Sequence, residues 1–160
     1  MKDALIREPY SYRHDAAVPG FADDLPIIVF DGYCALCSGW AKFVMRFDRR
    51  AIYRLLPAQS ALGYALYVHY GLDAERYTTN LLIANGVAWF KSEGSIRMAE
   101  GLGFPWSLAA LLRILPLRIR DWLYEMLARN RFRLGGRREV CYVPEAAYKS
   151  RFLGQREPGA

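Results

Sequence analysis

The stretch "PIIVFDGYCALCSGWAKFVMRF" (residues 26–47) changes its hydrophobic period at a pair of cysteines. Before the pair, a short β-branched apolar run ends at Asp-Gly, which is typical of a buried strand over residues 26–31. After the pair, apolar residues recur at helical spacing on one side, and polar residues lie on the other. The apolar stripe comprises Leu36, Trp40, Phe43, Val44 and Phe47, and the polar side comprises Ser38, Lys42 and Arg46. The sequence therefore predicts a strand-to-helix junction that holds Cys34 and Cys37.

Periodic patterns continue beyond this junction. "AIYRLLP" (residues 51–57) predicts a second strand, and Ser60 is a natural N-cap for a helix that runs to Tyr70. "TNLLIANGVAWFK" (residues 79–91) predicts a hairpin, because Asn-Gly is the pair favoured in a two-residue type I′ turn. A further helix around Ile96 ends at the glycines of "EGLGFP". The predicted order is β-α-β-α-β-β-α, which indicates an α/β fold with a mixed sheet.

A helical extension with an arginine-rich tail follows at residues 104–142. Its apolar stretch "FPWSLAALLRILPLRI" predicts two core helices on either side of Pro116, the second with one apolar face. That face comprises Ile119, Trp122, Leu123, Met126 and Leu127. Residues 1–25 are predicted to form an irregular arm with a short helix, and residues 143–160 a loose C-terminus. We predict a single domain over residues 1–160, with its core at residues 26–103.

The composition is that of a folded globular protein, with 53% hydrophobic and 24% charged residues in a chain of 160. The net charge of +6 permits binding to anions but demonstrates none. The N-terminus lacks the apolar region of a signal peptide, and no run approaches the roughly 18 apolar residues of a membrane span. We therefore expect a cytoplasmic protein without a transmembrane span. In a reducing compartment, a C-x-x-C pair is typical of a catalytic or metal-binding site.

The position of the cysteines favours redox chemistry. Cys34 falls where the first helical turn leaves backbone N–H groups unpaired, and these donors stabilise a thiolate. We expect Cys34 to be an exposed nucleophile with a lowered pKa, and Cys37 to be a resolving thiol shielded by the apolar face. Asp31 ends the strand and has two interpretations. It is either a general base that exchanges a proton with Cys37 or a side-chain cap of the turn.

Two other interpretations of the cysteine pair stay open. A structural zinc site needs four ligands, and the chain offers only Cys141 besides isolated His14 and His69. We therefore expect no metal, and no motif indicates a cofactor. Alternatively, both cysteines are small core residues, although this fits poorly with a C-x-x-C at a helix start.

Two motifs of the chain resemble a known family. "FDGYCALCSGWAKFVMRFD" resembles the signature of the DCC family of predicted thiol-disulfide oxidoreductases, named for the pattern that Asp31, Cys34 and Cys37 reproduce here. "ARNRFRLGGRREVC" resembles the second signature of that family, and the similarity spans roughly residues 26–142. The resemblance implies a thioredoxin-like fold and activity on disulfides. Family members often have proline inside the C-x-x-C, where this chain has Ala35.

The resemblance also indicates candidate substrate-binding residues. Thioredoxin-like oxidoreductases usually place a cis-proline just before the third strand, where this chain has Thr78 and Thr79. The arginines of the tail either complement the dipole at a helix C-terminus or hold an anionic substrate group. They are Arg129, Arg131, Arg133, Arg137 and Arg138, of which Arg129 and Arg133 share a face if the helix persists. Nucleic acid is an unlikely partner, because only Phe132 is available among them for base stacking. Cys141 is either a third redox thiol or a buried small residue.

Three functional hypotheses follow. The first is a thiol-disulfide oxidoreductase that acts on a protein or small-molecule disulfide, with Cys34 attacking and Cys37 resolving the mixed disulfide. The second is a non-catalytic thioredoxin-like module that binds a peptide or anionic ligand, which the threonines at the usual proline position favour. The third is a metal protein that uses Cys34, Cys37 and Cys141 with a ligand from outside the chain.

Overall fold

The computed structural model describes residues 7–153 and contains a four-stranded mixed sheet. The strands are β1 (Ile27–Phe30), β2 (Arg54–Pro57), β3 (Leu81–Ala84) and β4 (Val87–Phe90), in the order β2-β1-β3-β4. β1 pairs with β2 in parallel, and the β1–β3 and β3–β4 pairs are antiparallel. The predicted mixed α/β fold is confirmed, and the arrangement is consistent with a thioredoxin-like fold.

Five α-helices and three short 3₁₀ helices complete the described structure. The α-helices are α1 (Ala35–Phe47), α2 (Ala61–His69), α3 (Lys91–Gly101), α4 (Leu117–Arg129) and α5 (Arg131–Leu134). The 3₁₀ helices span Ser11–His14, Trp106–Ile114 and Ala146–Arg151. Ser60 is the N-cap of α2 as predicted, because its Oγ accepts a hydrogen bond from the Gly63 N–H at 3.0 Å.

The hairpin between β3 and β4 forms at the predicted Asn-Gly pair. Asn85 and Gly86 have φ values of +51° and +75°, as a type I′ turn requires. Gly86 is needed for a second reason: a Cβ atom there would lie 2.5 Å from the Tyr10 ring. The Tyr10 N–H also donates to the Gly86 carbonyl at 2.9 Å, so the N-terminal arm is fixed to the hairpin.

The core lies on both faces of the sheet, because β1 is buried along its whole length. Ile27 and Val29 belong to a cluster on one face that also contains residues of α2. Ile28 and Phe30 belong to a cluster on the other face, with residues of α1 and Met98 of α3. The end of β1, where the cysteine loop begins, is therefore held from two sides.

Helix α1 buries a stripe that shares Val44 with the predicted one but includes Ser38, which the sequence places on the polar side. Its buried residues are Ser38, Ala41, Val44 and Met45. Of the predicted stripe, Trp40 and Phe43 are partly buried against the core. Phe43 and Phe47 also contact Trp106, at ring-centroid distances of 4.7 Å each. Helix α1 is thus apolar on two sides, one facing the sheet and one facing the helical extension.

The prediction that the extension forms core helices is wrong. No residue of α4 or of the Trp106–Ile114 helix is buried, and the side chains of Ile114 and Trp122 are 83% and 56% exposed. Polar contacts hold α4 against α3 and β3, including the Lys91–Glu125 ion pair at 2.8 Å. The apolar periodicity is present, but the residues of the predicted face remain 40–56% exposed in the described structure. No helix of the described residues is long and apolar enough to cross a membrane.

The chain after the extension also differs from the expected loose C-terminus. The Arg151 guanidinium is buried and forms an ion pair with Asp48, and it donates to the Tyr53 carbonyl at 3.2 Å. Phe152 is buried and forms an isolated bridge with Leu55 of β2. These contacts order residues 146–152 against the sheet. The predicted loose residues 154–160 lie outside the described part of the chain, as do residues 1–6.

Candidate active site

The cysteine loop joins β1 to α1, as the sequence predicts. Cys34 is the N-cap of α1, with extended backbone angles, and its carbonyl accepts the first helical hydrogen bond from the Ser38 N–H. Its Sγ accepts the N–H of Cys37 at 3.2 Å, which is the capping interaction that serine provides elsewhere. The Cys37 N–H, which has no backbone acceptor in the first turn of α1, therefore donates to the Cys34 sulfur.

The two sulfurs are in direct contact. All three cysteines are free thiols, and the Cys37 thiol donates to Cys34 Sγ at 2.7 Å. This hydrogen bond is the main reason that the pKa of Cys34 falls to about 7, with help from the Cys37 N–H and the charge of Arg131. The same hydrogen bond, together with burial, raises the pKa of Cys37. Near neutral pH the geometry thus favours a thiolate at Cys34 and a thiol at Cys37.

Exposure of the two cysteines is the reverse of the prediction. Cys34 is 0% exposed, whereas Cys37 is partly exposed and lines a cavity. Cys34 is covered because its backbone forms an isolated antiparallel bridge with Arg137. The sequence of the cysteine loop contains no signal for this cover, since it comes from the far end of the chain.

We call this cover, residues 135–142, the C-terminal strap. It crosses the cysteine loop through hydrogen bonds from the Arg138 N–H to the Tyr33 carbonyl at 2.7 Å and from the Tyr142 N–H to the Gly32 carbonyl at 2.9 Å. The Ala35 N–H donates to the Gly136 carbonyl at 3.2 Å. Gly136 has a φ of +82°, which favours glycine, so the Gly-Gly pair of the second motif gives the strap its path.

A buried ion pair lies behind the cysteines. Asp31 and Arg131 are 5% and 4% exposed, and Arg131 Nη2 lies 3.3 Å from Asp31 Oδ2. Arg131 also donates to the Arg76 carbonyl. The charge of Arg131 lowers the pKa of both thiols, and the charge of Asp31 raises it. The sequence singles out both residues but does not predict that they form a pair.

The Asp31 carboxylate is held from the other side by a residue that the sequence analysis missed. Gln59 Nε2 donates to Asp31 Oδ1 at 2.6 Å, and Gln59 Oε1 accepts the Gly32 N–H at 3.0 Å. The Tyr33 N–H also donates to Asp31 Oδ1, at 3.0 Å. The contact between Gln59 and Asp31 was predictable from parallel pairing of β1 and β2, because this pairing places the residues that follow the two strands at one edge of the sheet.

Cys141 lies on the strap beside the cysteine loop. Its Sγ is 4.0 Å from Gln59 Oε1, and a Cβ atom on Gly32 would lie 2.5 Å from it. Burial, with the nearby charge of Asp31, raises the pKa of this thiol. Gly32 is therefore required for the close approach of the third sulfur. A redox role for Cys141 stays a prediction.

The tail arginines point in different directions. Arg131 is buried on Asp31, whereas Arg129 and Arg133 are exposed and form no ion pair within residues 7–153. The shared helical face expected for Arg129 and Arg133 is absent, because α4 ends at Arg129 and Asn130 is its C-cap. Arg137 lies over the Phe132 ring at 5.7 Å, and Arg138 lies over the Tyr142 ring at 5.4 Å. Binding of an anionic group by these arginines stays a prediction.

A cavity of about 750 Å³ opens on the Cys37 side of the pair. Thr78 and Thr79, the predicted substrate-binding residues before β3, share its wall with Cys37 and Arg131. The remaining wall is mostly apolar and comes from β1, α1 and the helical extension. It includes Trp40, Phe43, Leu112, Leu115, Leu123 and Leu127.

The part of the chain that the structure describes contains no cluster of three or more His, Cys, Asp and Glu side chains able to hold a metal ion. His69 is buried away from the cysteines, with its Nδ1 2.7 Å from Asp15 Oδ2. Its other ring nitrogen lies 2.9 Å from the Ser11 hydroxyl. Both ring nitrogens of His69 thus have hydrogen-bond partners, as expected for a buried structural histidine.

Comparison with known proteins agrees with this geometry. The sequence model of the DCC1-like thiol-disulfide oxidoreductase family matches residues 28–137, from β1 into the strap. The uncharacterized protein YuxK of Bacillus subtilis (strain 168) is 32% identical over 127 residues, covering 79% of this chain and 93% of YuxK. A chloroplastic DCC family protein of Arabidopsis thaliana is 36% identical over 120 residues, covering 74% of this chain and 70% of that protein. No solved structure matches the chain. The match covers the motif of Cys34 and Cys37 and ends within the second motif, before Cys141, and the chain is a member of the DCC1-like thiol-disulfide oxidoreductase family.

Proposed function

We propose that the protein exchanges thiols and disulfides, with Cys34 as the nucleophile and Cys37 as the resolving thiol. The observation that carries this proposal is the 2.7 Å contact in which Cys37 donates its proton toward Cys34. The Cys34 thiolate attacks a substrate disulfide, forms a mixed disulfide and releases one substrate thiolate. Cys37 then loses its proton and attacks Cys34 Sγ, which releases the second substrate thiol. The protein is oxidised to the Cys34–Cys37 disulfide, and the substrate is reduced by two electrons.

The strap determines access to the nucleophile. Cys34 is fully buried under it, so a disulfide reaches Cys34 only when the strap lifts from residues 32–35. The strap is held mainly by backbone hydrogen bonds, each of which contributes roughly 1 kcal/mol to stability. Local opening of such a segment costs less than global unfolding and makes attack possible.

Arg131 and Asp31 are proposed to tune the pair from behind. Arg131 stabilises the Cys34 thiolate, and Asp31 opposes it while holding Arg131 and Gln59 in place. Within the described chain, no hydrogen bond joins Asp31 to either cysteine sulfur. The general-base role of Asp31 toward Cys37 therefore stays a prediction, which Asp31→Asn tests through the rate of mixed-disulfide resolution.

Substrate binding is proposed for the two surfaces next to the pair. Thr78 and Thr79 line the cavity beside Cys37. Arg129, Arg133 and Arg137 are exposed, and we propose that they bind an anionic group of the substrate. The substrate is a protein or small-molecule disulfide or thiol. A cytoplasmic location stays a prediction, and the plant relative is named as chloroplastic.

A redox titration tests the proposal. The protein is equilibrated in glutathione buffers of graded potential, and the Cys34–Cys37 disulfide is quantified by peptide mass after acid quenching. We expect a single reversible transition, which Cys34→Ser and Cys37→Ser each abolish and Cys141→Ser preserves. If the wild type forms no reversible disulfide between these two cysteines, the proposal fails.

The burial of Cys34 favours a second candidate function. A non-catalytic module that binds a peptide or anionic ligand has no need of an accessible thiolate. In that case Cys34 does not react with glutathione disulfide at any potential, and ligand binding is unchanged by Cys34→Ser. The titration therefore separates the two functions.

A further inference from the structure

The cavity beside Cys37 is not explained by exchange at Cys34. Cys34 is buried under the strap, whereas the cavity wall includes Cys37 and excludes Cys34. A molecule bound in the cavity thus meets a thiol that retains its proton, with the thiolate directly behind it at 2.7 Å. The reacting sulfur of a disulfide held by Thr78 and Thr79 must therefore reach Cys34 from the strap side, because a thiolate is the attacking species in exchange.

The walls of the cavity select an apolar ligand. Leu112, Leu115, Leu123 and Leu127 of the extension form one wall, and each of them is also partly exposed on the outer surface. Trp40 and Phe43 of α1, which stack with their centroids 5.3 Å apart, contribute aromatic surface. An apolar molecule is stabilised here in proportion to the area that it removes from water. The surrounding exposed apolar surface gives such a molecule a route of entry.

The polar groups of the wall select a neutral hydrogen-bond acceptor. The hydroxyls of Thr78 and Thr79 make no side-chain hydrogen bond to any other residue in the 7–153 range. In the same range, the buried Nε–H of Arg131, a wall residue, has no acceptor. The buried Oδ1 of Asn80, also on the wall, lacks a donor, which the hydroxyl of a reduced ligand is able to supply. The charge of Arg131 is already paired with Asp31, so an anionic ligand would leave an uncompensated buried charge. A carbonyl oxygen satisfies the unused donors without adding charge.

We propose that the cavity binds an apolar quinone, which oxidises the reduced cysteine pair. This inference rests on the proposed function, because it requires a redox-active pair. The two sulfurs lose two electrons and form the Cys34–Cys37 bond. The quinone gains these electrons, one proton from Cys37 and one from solvent, and leaves as the hydroquinone. An apolar ring with two carbonyl groups matches both the walls and the polar end of the cavity, and the quinone itself is the electron acceptor.

The test uses the reduced protein and a fully substituted benzoquinone with a short alkyl tail, mixed without oxygen. Full substitution prevents direct addition of thiols to the ring. We expect equal amounts of hydroquinone and Cys34–Cys37 disulfide, measured by absorbance and peptide mass. A sulfonated benzoquinone of similar potential is the polar control, and we expect it to react at least about tenfold more slowly because its charge is not solvated in the cavity.

Two variants on α4 separate binding in the cavity from general reactivity. Ala128 lines the cavity and Met126 does not, so Ala128→Phe fills it and Met126→Phe is the matched control. For each variant we compare the rate at which the quinone oxidises the cysteine pair with the rate at which glutathione disulfide oxidises it. We expect Ala128→Phe to lower the ratio of these two rates about tenfold and Met126→Phe to leave the ratio unchanged. Thr79→Val, which keeps the side-chain volume, is expected to weaken quinone binding severalfold by removing a donor.

The outcomes distinguish the two proposals. If the wild type forms its disulfide in glutathione buffer but does not reduce the apolar quinone, this inference is overturned and the proposed function stands. Equal rates for wild type and Ala128→Phe also overturn it, because the reaction then occurs outside the cavity. If no disulfide forms with either oxidant, both proposals fail.

Discussion

The two sulfurs of the site face different surroundings. Cys34 lies under a polar strap of backbone that is held by hydrogen bonds, whereas Cys37 faces an apolar cavity between α1 and the helical extension. The sulfur with the lowered pKa is therefore the covered one, and the accessible sulfur is the one that keeps its proton. The lowered pKa and the access from the cavity thus belong to different sulfur atoms, and the proposed exchange at Cys34 requires the strap to move.

The largest effect is expected behind the pair, at Arg131. Arg131→Met leaves the buried Asp31 carboxylate without its cation, which typically costs about 3–5 kcal/mol in the free energy of unfolding. Arg133→Met, an exposed arginine of the same short helix, is the control and is expected to change stability by less than about 0.5 kcal/mol. Urea denaturation of the reduced proteins measures both. Equal effects would show that Asp31 does not depend on Arg131.

On the strap side, Gly32→Ala is expected to destabilise the protein by about 1–3 kcal/mol, because the new methyl group overlaps Cys141 Sγ. Cys141→Ala removes that sulfur, so the double variant should recover most of the loss. Urea denaturation of the two single variants and the double variant gives the coupling energy. If the two effects simply add, the strap does not pack on Gly32 as described.

Removal of the thiol contact is expected to change the reactivity of Cys34. Cys37→Ala deletes the hydrogen bond that contributes most to lowering the Cys34 pKa, which then rises from about 7 toward the value of a free thiol. Near pH 7 the thiolate fraction of Cys34 falls about fivefold if the pKa rises by one unit and about fiftyfold if it rises by two. Alkylation of Cys34 by iodoacetamide, followed by peptide mass, measures the change. An unchanged pH midpoint would assign the lowered pKa to the backbone donor and Arg131 instead.

A smaller effect of opposite sign is expected from loosening the strap. Gly136 has a φ of +82°, and Gly136→Ala adds strain of roughly 1 kcal/mol to the closed strap. Opening becomes more frequent, so alkylation of Cys34 accelerates about fivefold at constant pH. The rate at Cys37 is the internal control and should not change, because Cys37 is reached from the cavity. Acceleration at both cysteines would indicate general loosening of the fold.

Local features of the fold were predictable, and contacts between distant segments were not. The change in hydrophobic period correctly predicted the strand-to-helix junction at Cys34, and the Asn-Gly pair correctly predicted the hairpin. The cover over Cys34 comes from Arg137, and the partner of Asp31 is Arg131, 100 positions away. Periodicity in one segment carries no information about which remote segment packs on it. Pairing of this kind requires the three-dimensional fold.

The helical extension illustrates the same limit. The apolar face of α4 was recognised from the spacing of residues such as Trp122 and Leu123, but spacing does not reveal what covers a face. Gln59 was within reach of sequence reasoning, because the residues that follow parallel strands meet at one edge of a sheet. The identity of Asp31, Cys34 and Cys37 as the centre of the site came from the motif, and their surroundings came from the structure.

The most direct test of this account is the alkylation rate of each cysteine in the reduced wild type as a function of pH, resolved by peptide mass. We expect the rate at Cys34 to rise with a midpoint of about pH 7, because the thiolate forms there first. We expect Cys37 to stay protonated, and to be alkylated slowly, until well above that pH, since its pKa is raised. A Cys34 midpoint at or above about 8.5, the value of a free thiol, or a lower midpoint at Cys37, would contradict the assignment of Cys34 as the nucleophile.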